Sequence, residues 1–414
     1  MSRFRIGLFD AYLSTLGGGE NFLAVLCELI EQEFPEADVE VLTYAPYAVD
    51  IARLAERFGV ELRRTRLRLI PTISRDRLRH FPVLQRYLHE RDLGRLSADY
   101  DLFVNNTIYS IAPAASRYSV YMCMFPLDPA PVGLRRPSRR RRLLAPYVAA
   151  RRALYHRWIG RYDLLLCNSE YTRRWASRMW RLDSHVLYPP VELRPRLQLE
   201  GKTKSILSIG RFFAGNHNKK HDILINAFVT LRLLGLADWD LHLVGGRTDV
   251  AGTDEYIADL ERRAEGHPVH FHFDASRELL ASLLGSASLF WQATGFEEDE
   301  ENEPEKLEHF GVSTVEAMTH GCVPLVYRSG GQPEIIEQGA TGFLWRTLPE
   351  LLAHTIELAR EPVERERMAR AAHHASKRYG REAFRREVRA LLHQLVPDGA
   401  ALVVGPRIPA ARSG

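Results

Sequence analysis

Apolar positions along the chain follow two alternating rhythms: short runs of strand length, and longer stretches that repeat every three to four residues. Phe4-Arg5-Ile6-Gly7-Leu8-Phe9 reads as an opening strand, closed by Asp10. A loop, Leu13-Ser14-Thr15-Leu16, then leads into Gly17-Gly18-Gly19-Glu20. From Asn21 to about Glu33, Phe22, Val25, Leu26, Leu29 and Ile30 share one helical face. Strand, glycine-rich turn and helix open a βα unit of the dinucleotide-binding type. Asp38 to Thr43, Asp101 to Asn105 and Tyr118 to Met122 repeat the strand pattern. Asp163-Leu164-Leu165-Leu166-Cys167 has the continuous apolar run of a strand buried on both faces. Ser169 or Thr172 can cap the helix that follows. Strands alternating with helices predict a parallel, doubly wound α/β sheet.

Tyr188-Pro189-Pro190-Val191 then stiffens the chain, because each proline restricts itself and its predecessor. This predicts a domain boundary between about Val191 and Gly201. The alternation restarts with a strand over Ser205 to Arg211 and an apolar helix through Ile223, Leu224, Ala227 and Phe228. Further strands are predicted at Trp239–Gly246, Pro268–Phe273 and Ser288–Gln292, and helices at Leu348–Arg360, Val363–Tyr379 and Arg381–Leu395. The expected organisation is two Rossmann-like domains, 1–193 and 200–380, a final helix over 381–396, and a Gly-, Ala- and Pro-rich tail over 397–414 without fixed order. The two halves share an architecture but no sequence repeat.

Composition changes this picture little. A chain of 414 residues exceeds one ordinary core. The net charge of +4 is mild and the pI of 8.8 does not by itself imply nucleic acid, for which no binding module is present. Cys27, Cys123, Cys167 and Cys322 lie far apart in mostly apolar runs, as reduced core residues of a cytoplasmic protein do. The N-terminus reads as a strand rather than a signal peptide, and no stretch is apolar for long enough to span a bilayer.

Charge is uneven, however. Arg63 to Arg95 reads as a basic, irregular interval. Arg135, Arg136 and Arg139 to Arg142 lead into a helix carrying Arg151, Arg152, Arg157 and Arg161 among Tyr147, Tyr155 and Trp158. That mixture suits either an anionic membrane surface or a helix packed on its sheet with its arginines in water. His267, His270 and His272 cluster about one strand, but as a metal trio they lack a carboxylate partner and read as packing. Glu297 to Glu305 is an acidic loop, expected to be mostly hydrated.

The densest chemistry is in Glu308-His309-Phe310-Gly311-Val312-Ser313-Thr314-Val315-Glu316, which leads through a short helix into the buried run beginning at Cys322. Ser313 is expected to cap that helix, so that first-turn amides and the dipole offer a seat for phosphate. Glu308 and Glu316 can accept from sugar and ribose hydroxyls. Ser313-x-x-Glu316 is equally the pattern of a simple capping box. Gly210-Arg211 at a strand end and Lys220 at the following helix start stand where open α/β sheets bind ligands, and could neutralise a departing diphosphate without a metal. Gly245-Gly246 ends another strand at the same edge.

The segment from Glu308 to Ile336, EHFG…VEAM…GCVPLV…GGQPEII, resembles the E-x7-E signature of retaining glycosyltransferases of family GT4. That resemblance, strongest from Tyr188 to Phe343, implies the GT-B fold, two Rossmann-like domains facing each other across a cleft. It implies that Glu308 contacts the donor sugar, Glu316 the ribose, and the backbone of Phe310, Gly311 and Val312 the diphosphate. It further implies that Gly17, Gly18 and Gly19 face the donor phosphates and that Arg211 and Lys220, preferred to Lys219 by its offset from the helix, grip them. The family often has a histidine near the reacting carbon where this chain has Met124, which cannot exchange a proton. Catalysis without it fits a front-face mechanism in which the leaving phosphate takes the acceptor's proton.

The expected protein is therefore a metal-independent hexosyltransferase that uses a UDP- or GDP-sugar as co-substrate and needs no other cofactor. EHFG leans towards mannosyl donors. Its expected acceptor is a hydroxyl of a lipid-linked or polysaccharide-precursor glycan, with membrane contact through Arg135 to Arg161. Two alternatives share these features: a non-catalytic nucleotide-sugar or polyanion binder with Met124 as its lesion, and a sugar-phosphate synthase or phosphorylase of the same fold. The phosphorylase lacks any pyridoxal-lysine context.

Overall fold

A computed structural model describes residues 3–15, 17–70, 82–107, 110–126, 128, 142, 144–215, 218–248 and 250–396. The features assigned to Arg135–Arg141 and to the tail from 397 lie outside the described residues. The chain divides into two compact units: residues up to 168, 172–187 and from 384 form the first, and 169–171 with 188–383 form the second.

The first unit is built on a parallel sheet ordered β3-β2-β1-β4-β5-β6-β7. Its strands are β1 (Arg5–Phe9), β2 (Asp38–Tyr44), β3 (Arg66–Ile70), β4 (Leu102–Asn105), β5 (Tyr118–Cys123), β6 (Leu164–Cys167) and β7 (His185–Val186). Between them run α1 (Gly18–Glu33), α2 (Ile51–Phe58), α3 (Pro82–Ser97), α4 (Ala145–Ile159) and α5 (Glu170–Trp180). Alternate strand residues feed two cores: Ile6, Leu8 and Val41 pack with α1 on one face, and Phe9, Phe103 and Tyr121 pack with Trp158 on the other.

One basic region departs from expectation. The interval from Arg63 to Arg95 is not irregular where it is described, because it supplies edge strand β3 and most of α3. β3 tolerates its arginines because β2 presents Asp38 and Glu40 to Arg66 and Arg68. Helix α4 buries Tyr155, Trp158 and Ile159 in the core and leaves Tyr147 exposed, as is Leu144 just before it. Arg152 is ion-paired with Asp128 at 2.7 Å. Among the described residues no helix is long and apolar enough to cross a membrane.

The second unit repeats the plan with the parallel order β10-β9-β8-β11-β12-β13. The strands are β8 (Thr203–Ile209), β9 (Asp240–Gly245), β10 (Val269–Phe273), β11 (Ala287–Gln292), β12 (Val323–Tyr327) and β13 (Phe343–Trp345). The helices are α6 (His221–Leu233), α7 (Thr253–Ala264), α8 (Arg277–Ser286), α9 (Val312–Thr319), α10 (Gln332–Ile335), α11 (Leu348–Arg360) and α12 (Pro362–Ser376). The run predicted to reach Tyr379 as one helix ends at Ser376 and tightens into a 3-10 turn, Lys377–Tyr379. Val191 donates to the Tyr379 carbonyl at 2.8 Å, so the start of this unit is tied to its end. The last helix, α13 (Arg381–Leu395), packs Phe384, Val388 and Leu392 into the first unit's core, with Phe384 edge-on to Phe22 at 5.1 Å.

Candidate functional site

In a parallel sheet every strand delivers its C-terminal end to one edge, where loops are free to carry ligand-binding groups. The second unit gathers a polar cluster there. Gly210 and Arg211 follow β8, β9 ends in Gly245, and β11 in Gln292; Glu308 to Gly311 lead into α9. Gly210 donates to the Val244 carbonyl at 2.8 Å, which sets the ends of β8 and β9 side by side. Arg211 is exposed.

Glu308 is the centre of the cluster. Its Oε2 accepts from Lys219 Nζ at 2.7 Å and from Gln292 Nε2 at 2.8 Å. Its carbonyl accepts from Gly331 N–H at 2.8 Å, locking the loop before α9 to the Ser329–Gly331 turn. The side chains of Lys219 and Glu308 are only 16% and 13% exposed, so the pair is sheltered yet reachable.

The two neighbouring lysines have different carboxylate partners. Lys220 does not approach Glu308; its Nζ binds Glu298 Oε1 at 2.7 Å. The cause is local: Lys220 has a left-handed backbone, φ +57°, as residue before α6, which sends adjacent side chains in different directions. Glu298 also accepts from Lys306 at 3.0 Å. Burial works against its charged form, but the hydrogen bonds and charges of Lys220 and Lys306 outweigh it and hold the carboxyl below the usual range. The acidic loop is thus largely exposed, as expected, but anchored at Glu298.

Ser313 is not the helix cap. α9 starts at Val312, with Gly311 before it at φ +112°. A Cβ at Gly311 would also lie 2.6 Å from Gln332 Nε2, so both backbone and space require glycine. Ser313 and Glu316 then sit inside the helix, and the capping-box alternative falls with the cap. Phe310 is buried against Tyr188 and Tyr379, at ring separations of 5.4 and 5.2 Å. Only its backbone is left for a ligand. Burial keeps the His309 imidazole neutral, pulling its pKa down to about 4.

A carboxylate meets the first amides of α5. Glu334 accepts from the N–H groups of Glu170 and Tyr171 at 2.8 and 2.6 Å, while Ser169 Oγ donates to the His309 carbonyl. Thr172 donates to the Met124 carbonyl at 3.3 Å.

The first unit has its own cluster at the same edge of its sheet. Gly17 precedes α1 and donates to Glu20 Oε2 at 2.6 Å; Gly18 and Gly19 form the first turn. Asn106 Nδ2 reaches Asp10 Oδ2 at 3.0 Å and the Gly19 carbonyl at 3.2 Å. Burial, and next the Glu20 charge, raise the Asp10 carboxyl to about 7. Met124 is half-buried, with Asn168 Nδ2 3.9 Å from its sulfur.

Sequence reasoning passed over Lys219, Gln292, Glu298 and Glu334, and in the first unit the pairing of Asp10 with Asn106. Gln292 and Asp10 each stand at or just past a strand end, a signal present in the sequence. The choice between two adjacent lysines depended on one dihedral angle and left no such signal.

Solved structures with this architecture include Anabaena Alr3699/HepE in complex with UDP-glucose, TM-score 0.68 at 16% identity over 95% of this chain and 100% of that one. The galactosyltransferase WaaB in its apo form gives 0.65 at 15% identity over 94% and 99%. The fold is accordingly that of the GT-B glycosyltransferases. Residues 191–375, which contain the Glu308 cluster, match the model of the family described as glycosyl transferases group 1. Relatives include the GDP-Man:Man(3)GlcNAc(2)-PP-Dol alpha-1,2-mannosyltransferase of Xenopus laevis, 29% identical over 46% of this chain and 40% of that protein. The human alpha-1,3/1,6-mannosyltransferase ALG2 is 28% identical over 55% and 58%. The chain thus spans only about half the length of these relatives.

Proposed function

We propose that the protein is a hexosyltransferase that moves mannose from GDP-mannose to a hydroxyl of a lipid-linked or polysaccharide-precursor glycan, with retention at the anomeric carbon and without a metal ion. The observation that carries this is the Lys219–Glu308–Gln292 cluster beside Arg211 at the ligand-binding edge of the second sheet. The GDP-Man in the name of the alpha-1,2-mannosyltransferase relative supports the choice of donor.

In this proposal Arg211 and Lys219 neutralise the diphosphate as the bond from sugar C1 to phosphate oxygen breaks. Lys219 takes the part first assigned to Lys220. The acceptor oxygen bonds C1 on the same face, and its proton passes to the departing phosphate oxygen, so Met124 is no obstacle. Glu308, held in place by Lys219 and Gln292, accepts from sugar hydroxyls, and Glu316 accepts from the ribose. The amides of Phe310 to Ser313 and the strand ends at Gly210 and Gly245 border the phosphates. The first unit, with Asp10 and Asn106, serves the acceptor side. A cytoplasmic, membrane-associated setting follows from a lipid-linked acceptor.

The test is thermal unfolding with GDP-mannose, UDP-glucose and the free nucleotides, followed by transfer to a panel of lipid-linked glycans. At a ligand concentration a hundred times Kd, stabilisation of about 2.7 kcal/mol is expected. An unchanged Tm with every nucleotide-sugar, or an equal rise in Arg211→Ala, overturns the proposal. Loss of transfer in EDTA, or an inverted product anomer, overturns its finer parts. The non-catalytic alternative rests on Met124 and predicts binding without donor consumption.

A further inference from the structure

A second chemical cluster lies on β9 and β10, away from the strand ends just described. Leu241 and Leu243 of β9, with Phe271 and Phe273 of β10, turn into the second unit's core. Alternation puts Asp240 and His242 of β9, and His270 and His272 of β10, on the opposite face. His270 is the direct cross-strand partner of His242. Their rings stack at 4.8 Å, and those of His242 and His272 at 5.3 Å. His270 Nε2 lies 3.7 Å from Asp240 Oδ1, and His242 Nδ1 lies 3.0 Å from His272 Nε2. The carboxylate that the histidines lacked in sequence comes from the neighbouring strand.

Asp240, His242 and His270 each present one ligand atom, all within 4.8 Å of one another. Bonds of 2.0–2.1 Å in a tetrahedral site need ligand atoms roughly 3.3 Å apart, so small side-chain rotations close the set. Two imidazoles and a carboxylate form the donor set of zinc-class ions and leave a fourth position for water.

We propose that Asp240, His242 and His270 hold a divalent ion of the zinc class, that His272 orients the His242 ring, and that the ion clips edge strand β10 to β9. The site is structural: Asp240 is the first residue of β9, whereas Gly245, its last, borders the candidate functional site. The metal independence proposed for transfer is unaffected, and the inference does not rest on that proposal.

The test uses the full chain, stripped with chelator and titrated with Zn2+ by calorimetry and equilibrium dialysis, with Co2+ as a spectroscopic probe. One equivalent with micromolar Kd is expected, together with a rise in Tm and the visible absorption of four-coordinate Co2+. His270→Ala, at an exposed edge position, and His242→Ala should each weaken binding about a hundredfold or more, and His272→Gln about tenfold, as loss of an outer partner does. Binding unchanged in His270→Ala would place the ion elsewhere and overturn the proposal. So would the lack of a stoichiometric site in the wild-type protein, or Co2+ spectra of six-coordinate aquo character.

Discussion

The two sheets bring their loops to the same kind of edge, but furnish it with opposite chemistry. In the first unit Asp10 and Glu20 are 4% and 7% exposed, and the partners that hold them include the Asn106 amide and backbone N–H groups. In the second, carboxylates meet ammonium groups: Glu308 with Lys219, Glu298 with Lys220 and Lys306. A carboxyl is therefore raised to about 7 at one edge and held low at the other. Parallel topology fixes where a ligand can dock, while local charge decides which ligand. A surface with cations suits a diphosphate. One with buried acids suits hydroxyls and protons.

The sharpest way to break this contrast is at its cations. Lys219→Ala should lower turnover about a hundred- to a thousandfold, as loss of a group that stabilises developing charge does, and Arg211→Ala similarly. Lys220→Ala should cost less than tenfold; equal losses for the two lysines in kcat would erase the distinction drawn between them. Next in size is the backbone beneath the cluster. Gly311→Ala forces a side chain into φ +112° and against Gln332, and should cost roughly 2–3 kcal/mol, seen as a Tm several degrees lower.

A third measurement reads the acid edge through pH. Asp10 is raised from 3.8 to about 7, so the stability it contributes is whole below pH 3.8 and lost as pH climbs through 7. Asp10→Asn should then stabilise the fold at pH 8 by on the order of 2 kcal/mol, seen as a higher Tm, and leave Tm unchanged near pH 4. The buried His309 and His221 act in the reverse sense, since their values fall from 6.5 to about 4 and about 3: they cost stability as pH drops below 6.5. A gain for Asp10→Asn that is equal at both pH values would deny the titration. The smallest effect expected is that of Glu316→Gln, which should raise the donor KM severalfold, about 1 kcal/mol, with kcat intact.

Much of this architecture was legible because burial on both faces forces continuous apolar runs, as in Leu164–Cys167 and Val323–Tyr327. The interval before Ser97 was not, because β3 alternates arginine with leucine and is made a strand by acids on β2, which are distant in sequence. Glu308 and Gly311 could be singled out from their spacing and residue types. The wrong cap at Ser313 shows the limit of that method: side-chain capping propensity lost to a glycine that backbone geometry demanded one residue before the helix. Lys219 and Lys220 were distinguishable only once φ was known.

Glu334 gathers three remote stretches of chain. Its carboxylate takes Glu170 and Tyr171 N–H and the Tyr188 hydroxyl, and its carbonyl takes the hydroxyl of Tyr379. A fragment beginning at residue 188 would strip two of those donors away and strand a sheltered anion. Protease mapping that seeks to liberate the second lobe intact must therefore keep the short 169–171 visit, which a single cleavage cannot do.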